Sequence, residues 1–230
     1  MDNHCIILAR GGSKGIPNKN IITFCGKPLI YWTIKQAKDS KIFKYIWVSS
    51  DSEKILKIVK RYGVRTIKRP KKFSTDNSSS EDAWEHSIKY IYNNNIKIDL
   101  VFSPQVTSPI RTKYDIIKSI KLFKKEKYDS MFSANIYSAL TLWNEKNKNL
   151  RSLNYDYKKR TIRQKNDIQY IENGSFYIFL PSTILKYKNR FGKNIGYYKM
   201  EIWKLLEIDD HEQLELCKII IKNYILKNVQ

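Results

Sequence analysis

The stretch "IILARGGSKGIPNKN" (residues 6–20) is an apolar strand that continues directly into a glycine-rich, basic loop. Three of the 8 glycines of the chain lie within residues 11–15. Glycine has no Cβ atom, so main-chain N–H groups can come close to a bound group there. The side chains of Arg10, Lys14 and Lys19 add positive charge. We interpret this loop as a phosphate-binding site, with an ordinary surface turn as the alternative.

The spacing of these residues excludes two well-known phosphate-binding motifs. A P-loop needs G-x-x-x-x-G-K-[ST], whereas Lys14 precedes the last glycine of this loop and no Ser or Thr follows it. The dinucleotide-binding fingerprint G-x-G-x-x-G is also absent. The loop therefore belongs to a different class of phosphate site.

The composition indicates a single domain over residues 1–230 without a membrane span. Hydrophobic residues make up 42% of the chain, which is enough for a sizeable core. No apolar run approaches the ~18 residues of a membrane span. The three cysteines, Cys5, Cys25 and Cys217, are odd in number and form no C-x-x-C motif. This usage favours a reducing cytoplasm over disulfides or zinc binding.

The net charge of +21 raises the question of nucleic-acid binding. The excess is mostly lysine and is spread from Lys14 to Lys227, so it resembles a bias of the overall composition. Nucleic-acid binding is therefore the less favoured interpretation.

Four arginines differ from this basic background, because each lies in a loop beside Gly, Pro, Ser or Gln. They are Arg10, Arg69, Arg111 and Arg163. Rigid guanidinium donors in separate loops are suited to binding an anion together. We expect these four side chains to converge on one anionic ligand.

Apolar strand-like segments alternate with helical patterns along most of the chain. The strand-like segments are residues 4–9, 45–50, 64–68, 98–103 and 129–134. The alternation predicts an α/β fold with a doubly wound, mostly parallel sheet. Such sheets bind ligands beyond the carboxyl ends of their strands. The loops after residues 9, 50 and 103 should therefore open on one edge of the sheet.

Residues 136–170 interrupt this alternation, because they are polar and carry few periodic apolar positions. We interpret them as a small projecting segment, which could be a β excursion, a lid or an oligomerisation arm, with an irregular insertion as the alternative. The chain returns to strand character at 170–180, with a predicted turn at Asn173-Gly174.

Polar residues at capping-box spacing predict the starts of two helices. The two pairs are Ser78-x-x-Glu81 and Asp210-x-x-Gln213. Asp51 follows the strand-like segment 45–50, and we interpret it as a further helix cap.

The stretch "LLEIDDHEQ" (205–213) brings two carboxylates together at a predicted strand end. In a strand, Glu207 and Asp209 point to the same face while Ile208 turns into the core. Adjacent carboxylates need a cation between them, and Mg²⁺ prefers one or two carboxylates plus phosphate oxygens. The stretch therefore predicts a Mg²⁺ site, with a solvated strand end as the alternative.

Taken in series, seven motifs of this chain resemble the acylneuraminate cytidylyltransferases, the enzymes that make CMP-sialic acid and related CMP-nonulosonates. Each motif alone is weak, but all seven occur in the order and spacing of the family over nearly the whole chain. They are "ILARGGSKGIPNKN", "GKPLIYWTI", "VSSDSEKI", "KRPKKFSTDNSSS", "QVTSPIR", "IRQ…YIENGSFYI" and "LLEIDDHEQLEL".

The resemblance implies a Rossmann-like nucleotidyltransferase fold and a homodimer that forms through the projecting segment. The family reaction joins the anomeric 2-hydroxyl of a nine-carbon α-keto acid sugar to the α-phosphate of CTP. It releases pyrophosphate and requires Mg²⁺. The chain is thus expected to be a cytoplasmic enzyme with CTP and a nonulosonic acid as substrates and Mg²⁺ as cofactor.

The resemblance also implies which residues of the opening loop and the acidic stretch act on CTP. Arg10 and Lys19, together with Asp209, would act in catalysis. The family pattern Asp-x-Asp makes Asp209 the firmer metal ligand, and Glu207 stands in place of the first Asp. The residues that would hold the triphosphate are Arg10, Ser13, Lys14, Lys19 and Asn20.

Four further positions match residues of the family's substrate pocket. Ser80 and Gln105 match positions that contact the cytidine or lie beside the sugar. Arg163 and Asn173 match a pair that lines the nucleotide and acceptor pocket. Each has a structural alternative: Ser80 could cap a helix, Gln105 could bond backbone, Asn173 could form its turn, and Arg163 could pair with a surface carboxylate.

Two departures from the family pattern leave the acceptor open. Ile171 stands where several relatives have a basic residue, and the segment that begins at residue 136 shares little with the family pattern. N-acetylneuraminic, legionaminic and pseudaminic acids, or another relative, all remain candidates. The rival functions are a cytidylyltransferase for an eight-carbon acid sugar such as Kdo, and a basic nucleic-acid-binding protein.

Overall fold

The computed structural model describes residues 1–13, 15–137, 140–159, 162 and 167–226, in which strands and helices alternate. The strands are β1 (Asn3–Leu8), β2 (Thr23–Phe24), β3 (Lys27–Pro28), β4 (Tyr45–Ser50), β5 (Arg65–Lys68), β6 (Leu100–Pro104), β7 (Ser130–Tyr137), β8 (Trp143–Lys146), β9 (Asn149–Ser152), β10 (Gln169–Phe179) and β11 (Ile195–Lys199). The α-helices are α1 (Leu29–Ser40), α2 (Glu53–Lys60), α3 (Ser80–Asn93), α4 (Lys113–Lys125), α5 (Pro181–Tyr187) and α6 (His211–Ile220). Short 3₁₀ turns occupy Lys19–Ile21, Lys71–Phe73 and Ile202–Lys204, and a π-helix over Ile221–Leu226 follows α6.

Within the described residues, seven strands form one sheet in the order β11-β7-β10-β6-β1-β4-β5. Neighbouring strands are parallel except β10, which runs antiparallel to both β6 and β7. Helices cover both faces of this sheet. The α/β, doubly wound, mostly parallel sheet predicted from the sequence is therefore confirmed.

Two hydrophobic cores lie on opposite faces of the sheet. Cys5 and Ile7 of β1 pack into the core that includes α1, α4 and α6, whereas Ile6 packs against α3 and α5. These three side chains have no exposed surface. A strand that is covered on both faces needs apolar side chains at successive positions, which explains why the sequence of β1 is continuously apolar over residues 5–8.

The sheet reverses its strand order between β1 and β6. The chain moves from β1 outward to β4 and β5, and then returns to β6 on the other side of β1. Because β1, β4 and β6 are parallel, their carboxyl ends meet at one edge. A reversal point of this kind opens a crevice for ligands.

Asn173 and Gly174 do not form a turn between two strands, which corrects the sequence-based prediction. They lie inside the long strand β10, where the register with β7 shifts between Glu172 and Tyr177. Gly174 has a φ of 65°, a conformation that glycine adopts without strain. The dipeptide therefore forms a bulge, which bends one strand without ending it.

Two of the predicted helix caps are displaced by one residue. The cap of α3 is Ser79, paired with Asp82, in place of Ser78 and Glu81. The cap of α2 is Ser52 and not Asp51, whose carboxylate bonds to the opening loop. In runs of several Ser and Asp residues, spacing alone does not decide which side chain caps.

The predicted box at the start of α6 is confirmed. The Asp210 side chain accepts from the Gln213 N–H at 2.8 Å, and the Gln213 side chain accepts from the Asp210 N–H.

A separate two-stranded sheet, β8 with β9, lies within the segment predicted to project. Several large apolar side chains of this region are exposed, among them Leu142, Trp143, Leu150, Leu153 and Tyr157. The boundaries 136–170 and the single-domain assignment stay predictions.

No helix among the described residues is long and apolar enough to cross a bilayer.

Candidate active site

A cavity of about 330 Å³ opens at the carboxyl ends of β1 and β6. Its walls come from the opening loop, the segment before α3, the loop after β6 and the acidic stretch before α6. It brings together eight of the predicted site residues: Arg10, Ser13, Lys19, Asn20, Ser80, Gln105, Glu207 and Asp209. Lys14 and Arg163 lie outside the described residues.

The opening loop is folded against the rest of the protein by specific contacts. The Asn20 side chain donates to the Arg10 carbonyl at 2.9 Å and closes the loop on itself. The Gly11 N–H donates to the Asp51 carboxylate at 2.9 Å, so this amide is already paired within the protein and is not free to bind a phosphate.

Gly15 brings the opening loop into contact with the acidic stretch. A Cβ atom on Gly15 would lie 2.2 Å from the Asp209 carbonyl oxygen, closer than any real contact. Lys19 strengthens the same junction, because its Nζ donates to the Ile208 carbonyl at 2.8 Å and to the Asp209 carboxylate at 2.9 Å. The cationic loop and the carboxylates thus form one unit.

Two arginines reach the cavity as the sequence predicted. Arg10 pairs with Asp76 at 3.2 Å across exposed surface. Arg69 is buried at the wall of the cavity, and this burial lowers the pKa of its guanidinium. Arg69 is one of the four arginines expected to converge on an anion, and the motifs assign it no individual role in the site.

Gln105 and Glu207 meet beside the bulge of β10. A Cβ on Gly174 would lie 3.2 Å from Glu207 Oε2 and 3.5 Å from Gln105 Nε2. Thr107 Oγ1 donates to Glu207 Oε1 at 2.5 Å. Burial raises the pKa of Glu207, and the neighbouring Asp209 acts in the same direction while Thr107 and Lys19 oppose it. Nothing in the sequence singled out Thr107.

The acidic stretch before α6 does not form the strand that we predicted: residues 205–208 have no regular secondary structure and residues 209–210 form a bend. Ile208 is fully buried and its N–H donates to the Thr107 carbonyl at 2.8 Å. Glu207 and Asp209 on either side of it both line the cavity. The predicted alternation of these three side chains therefore holds although the stretch is not a strand.

Glu207 and Asp209 are the two carboxylates of the cavity wall that would hold a Mg²⁺ ion if one binds here. No group of three or more His, Cys, Asp and Glu side chains in the described part of the chain is arranged to bind a metal. A Mg²⁺ ion commonly takes only one or two carboxylates plus phosphate oxygens and water. Two carboxylates on a cavity wall suit that pattern.

The Asn173 side chain is turned into a buried polar network and does not line the cavity. Its Oδ1 accepts from Ser133 at 2.6 Å and from the Ser175 N–H at 3.0 Å. Its Nδ2 donates to Asn135 at 2.7 Å. Its predicted contact with substrate stays a prediction, whereas its role in the bulge is visible.

Arg111 does not join the anion-binding arginines, which corrects that expectation. Its side chain is fully buried and bonds to main-chain carbonyls and hydroxyls. A position in a loop does not reveal whether an arginine side chain points outward or inward.

A protein-family model described as Cytidylyltransferase matches residues 4–228 of this chain. The chain belongs to the cytidylyltransferase family. The match extends from β1 through α6, so it includes all walls of the cavity.

Individual members of the cytidylyltransferase family show similar sequences. The chain is 33% identical to a pseudaminic acid cytidylyltransferase of Campylobacter jejuni, over 96% of this chain and 97% of that protein. It is 37% identical to an N-acylneuraminate cytidylyltransferase of Oncorhynchus mykiss, over 85% of this chain and 44% of that protein. The chain thus spans about half the length of several curated relatives.

Solved structures with a similar fold are also cytidylyltransferases. A CMP:2-keto-3-deoxy-manno-octonic acid synthetase complexed with CTP superposes with a TM-score of 0.72 and 15% identity, over 98% of this chain and 100% of that one. A 4-diphosphocytidyl-2C-methyl-D-erythritol synthase of Anaerococcus prevotii gives 0.67 and 13%, over 96% and 99%. At these identities the likeness concerns the fold, and it agrees with the Rossmann-like nucleotidyltransferase fold that the resemblance implied.

Proposed function

We propose that this protein transfers the cytidylyl group of CTP to the anomeric 2-hydroxyl of a nonulosonic acid, with release of pyrophosphate. The observation that carries the proposal is the cavity in which Arg10, Lys19 and the carboxylates of Glu207 and Asp209 meet. Family membership supports CTP as the nucleotide. The names of the relatives, which include neuraminate and pseudaminate enzymes, support an acid sugar as acceptor.

Positioned cations are the main requirement of this reaction. The negative charge of the triphosphate must be neutralised before an oxygen nucleophile can approach the α-phosphorus. Arg10, Ser13, Lys14, Lys19 and Asn20 are the residues that we propose hold the triphosphate. In the structure Arg10 and Lys19 are paired with Asp76 and Asp209. Bound triphosphate would compete with these carboxylates for the two cations.

We propose Mg²⁺ as the cofactor, held by Asp209 and Glu207. A bound Mg²⁺ would withdraw charge from the phosphate oxygens during transfer. The contact between Lys19 and Asp209 supports this arrangement, because it brings a cation of the opening loop beside the carboxylate that we propose as the firmer metal ligand.

The acceptor is proposed to bind on the side of the cavity where Gln105 lies beside Glu207. The planar amide of Gln105 offers both a donor and an acceptor to a sugar or a base. Ser80 enters the cavity from the first turn of α3 and is proposed to contact the nucleoside. Arg163 and Asn173 stay candidates for the acceptor pocket.

A homodimer that forms through the projecting segment is part of the proposal. Exposed side chains such as Trp143 and Leu150 support the dimer, since burying apolar surface against a partner stabilises the complex. The three unpaired cysteines support a reducing cytoplasm as the compartment. Sedimentation of purified protein would give a dimer mass, whereas a monomer at micromolar concentration would contradict the dimer.

The direct test is an assay of pyrophosphate release with CTP, Mg²⁺ and a panel of acids. The panel contains N-acetylneuraminic, legionaminic and pseudaminic acids, together with the eight-carbon acid Kdo. We expect release with one nonulosonic acid and little with Kdo. Turnover of Kdo alone would favour the rival acceptor, and a folded protein that turns over no acid would contradict the proposed activity.

A further inference from the structure

Arg111 is a buried cation that joins three parts of the protein next to the cavity. Its Nη1 donates to the carbonyls of Ser108 and Ser175 at 2.7 and 2.8 Å. Its Nη2 donates to the Thr33 hydroxyl at 2.9 Å and to the Gln105 carbonyl at 3.0 Å. One guanidinium therefore ties α1, the loop after β6 and the bulge of β10 together.

No carboxylate contacts this guanidinium among the described residues. Asp115, four residues further on, is instead bound by Lys204 at 2.8 Å and forms a capping box with Thr112 at the start of α4. Burial lowers the pKa of Arg111 to about 10, so the side chain stays charged at neutral pH. A fully buried charge held only by carbonyls and hydroxyls is costly, which argues that its geometry serves a purpose.

The contacts of Arg111 fix the main chain of Gln105 on both sides. The Gln105 N–H donates to the Ser175 carbonyl at 3.0 Å, the same oxygen that accepts from Arg111. The Gln105 carbonyl accepts from Arg111 directly. Because both polar main-chain groups of Gln105 are hydrogen-bonded, its Cα–Cβ bond has a fixed direction. The side chain lines the cavity beside Glu207 and Gly174.

We propose that Arg111 is a positioning residue that orients Gln105 for substrate binding beside Glu207. This inference rests on the proposed function, because it assigns Gln105 a task in that cavity. A planar fork of donors can meet four acceptors at once, whereas a lysine ammonium has three donors at a single point. The fork, and not the charge alone, is therefore what the site needs.

Two substitutions separate this role from a merely structural one. Arg111→Lys keeps the charge and removes the fork, and Thr33→Val removes one acceptor of the fork with little change of shape. Thr183→Val is the matched control, since Thr183 is also buried and its hydroxyl donates to the Asp129 carbonyl at 3.2 Å. Thr183 does not line the cavity.

The first measurement is independent of turnover. The side-chain amide resonances of Gln105, identified by their loss in Gln105→Leu, are followed by two-dimensional NMR. We expect them to shift in Arg111→Lys and in Thr33→Val but not in Thr183→Val. If Arg111→Lys does not fold, Thr33→Val carries the same test. Unshifted amide resonances in the folded variants would overturn the inference.

The second measurement is a double-mutant cycle on kcat/KM. We expect Arg111→Lys to lower kcat/KM by about tenfold, as for the loss of a charged hydrogen bond. In the Gln105→Leu background the same change should have little effect, because coupled residues are not additive. Effects that multiply would overturn the inference. A wild-type protein without turnover would contradict the proposed function instead, and the NMR comparison would then decide this inference alone.

Discussion

Gly15 and Gly12 lie three residues apart in the opening loop and differ in what surrounds them. A Cβ on Gly15 would collide with the Asp209 carbonyl, whereas a Cβ on Gly12 would meet nothing within 4 Å. Only Gly15 is therefore tied by close packing to the main chain of the acidic stretch.

We expect Gly15→Ala to reduce kcat by about 10²-fold, since a displacement of about 1 Å at a reacting centre has an effect of that size. Gly12→Ala is the control, with kcat close to that of the wild type. Circular dichroism checks that both variants fold. Equal kcat for the two variants would show that the contact between Gly15 and Asp209 does not matter.

Asp209 and Glu207 differ in exposure, although both are proposed metal ligands. The Asp209 side chain is 66% exposed, whereas Glu207 is half-buried and bonded to Thr107. We expect Asp209→Asn to abolish Mg²⁺-dependent turnover and Glu207→Gln to have a milder effect. A titration of activity with Mg²⁺ measures both. An Asp209→Asn enzyme with unchanged Mg²⁺ dependence would refute the metal assignment.

At the scale of elements, the capping box that starts α6 also touches the site. The Gln213 side chain accepts from the N–H of Asp209 at 2.6 Å as well as from that of Asp210. The helix start therefore helps to hold the acidic stretch in place.

We expect Asp210→Ala to lower the free energy of unfolding by ~1 kcal/mol, because an N-cap side chain is lost. Glu215→Ala on the same helix is the control, since it removes only an exposed pair with Lys218 and should change stability by less than about 0.5 kcal/mol. Urea unfolding of both variants measures the difference. A control that loses as much as Asp210→Ala would contradict the cap.

The elements that the sequence predicted well are those with a periodic apolar pattern. The strand predicted at 45–50 matches β4 at both ends. The bulge in β10 was missed, because Asn-Gly between apolar residues is also the usual signal of a hairpin turn. Only the pairing of β10 with β6 and β7 on either side distinguishes the two.

The site was predictable where function places charged groups in loops. Arg10, Lys19 and Asp209, which the family resemblance named, line one cavity, and their roles in the reaction stay predictions. Arg111 was misplaced, because burial of a side chain depends on contacts that are distant in sequence. Its partners Thr33 and Ser175 are 78 and 64 residues away.

At the scale of the whole molecule, His4 links stability to pH. Its imidazole is fully buried, and its Nδ1 accepts from Trp47 at 3.2 Å. Its Nε2 has no partner among the described residues. Burial lowers the pKa of His4 from 6.5 to about 4. The unfolded chain therefore binds a proton at pH values where the folded protein does not.

We expect the free energy of unfolding to be at its full value above pH 6.5, where His4 is neutral in both states. It should fall as the pH drops towards 4, because only the unfolded chain then takes up the proton. The loss amounts to ~3 kcal/mol of unfolding free energy for a shift of this size. Urea unfolding from pH 7 to pH 4 measures it, with His4→Leu as the control that lacks this contribution. Parallel pH profiles for the two proteins would contradict the burial of a neutral imidazole.

The proposed cytidylyl transfer requires that the opening loop and the acidic stretch act together on CTP. Arg10 tests this most directly, since its side chain lies in a loop and contributes little to the core. The measurement is kcat for pyrophosphate release by Arg10→Ala with the acid that supports wild-type turnover. We predict a fall of about 10²–10³-fold, as for other losses of a donor to a developing negative charge, with an unchanged melting temperature. A variant that keeps the wild-type kcat would contradict the account.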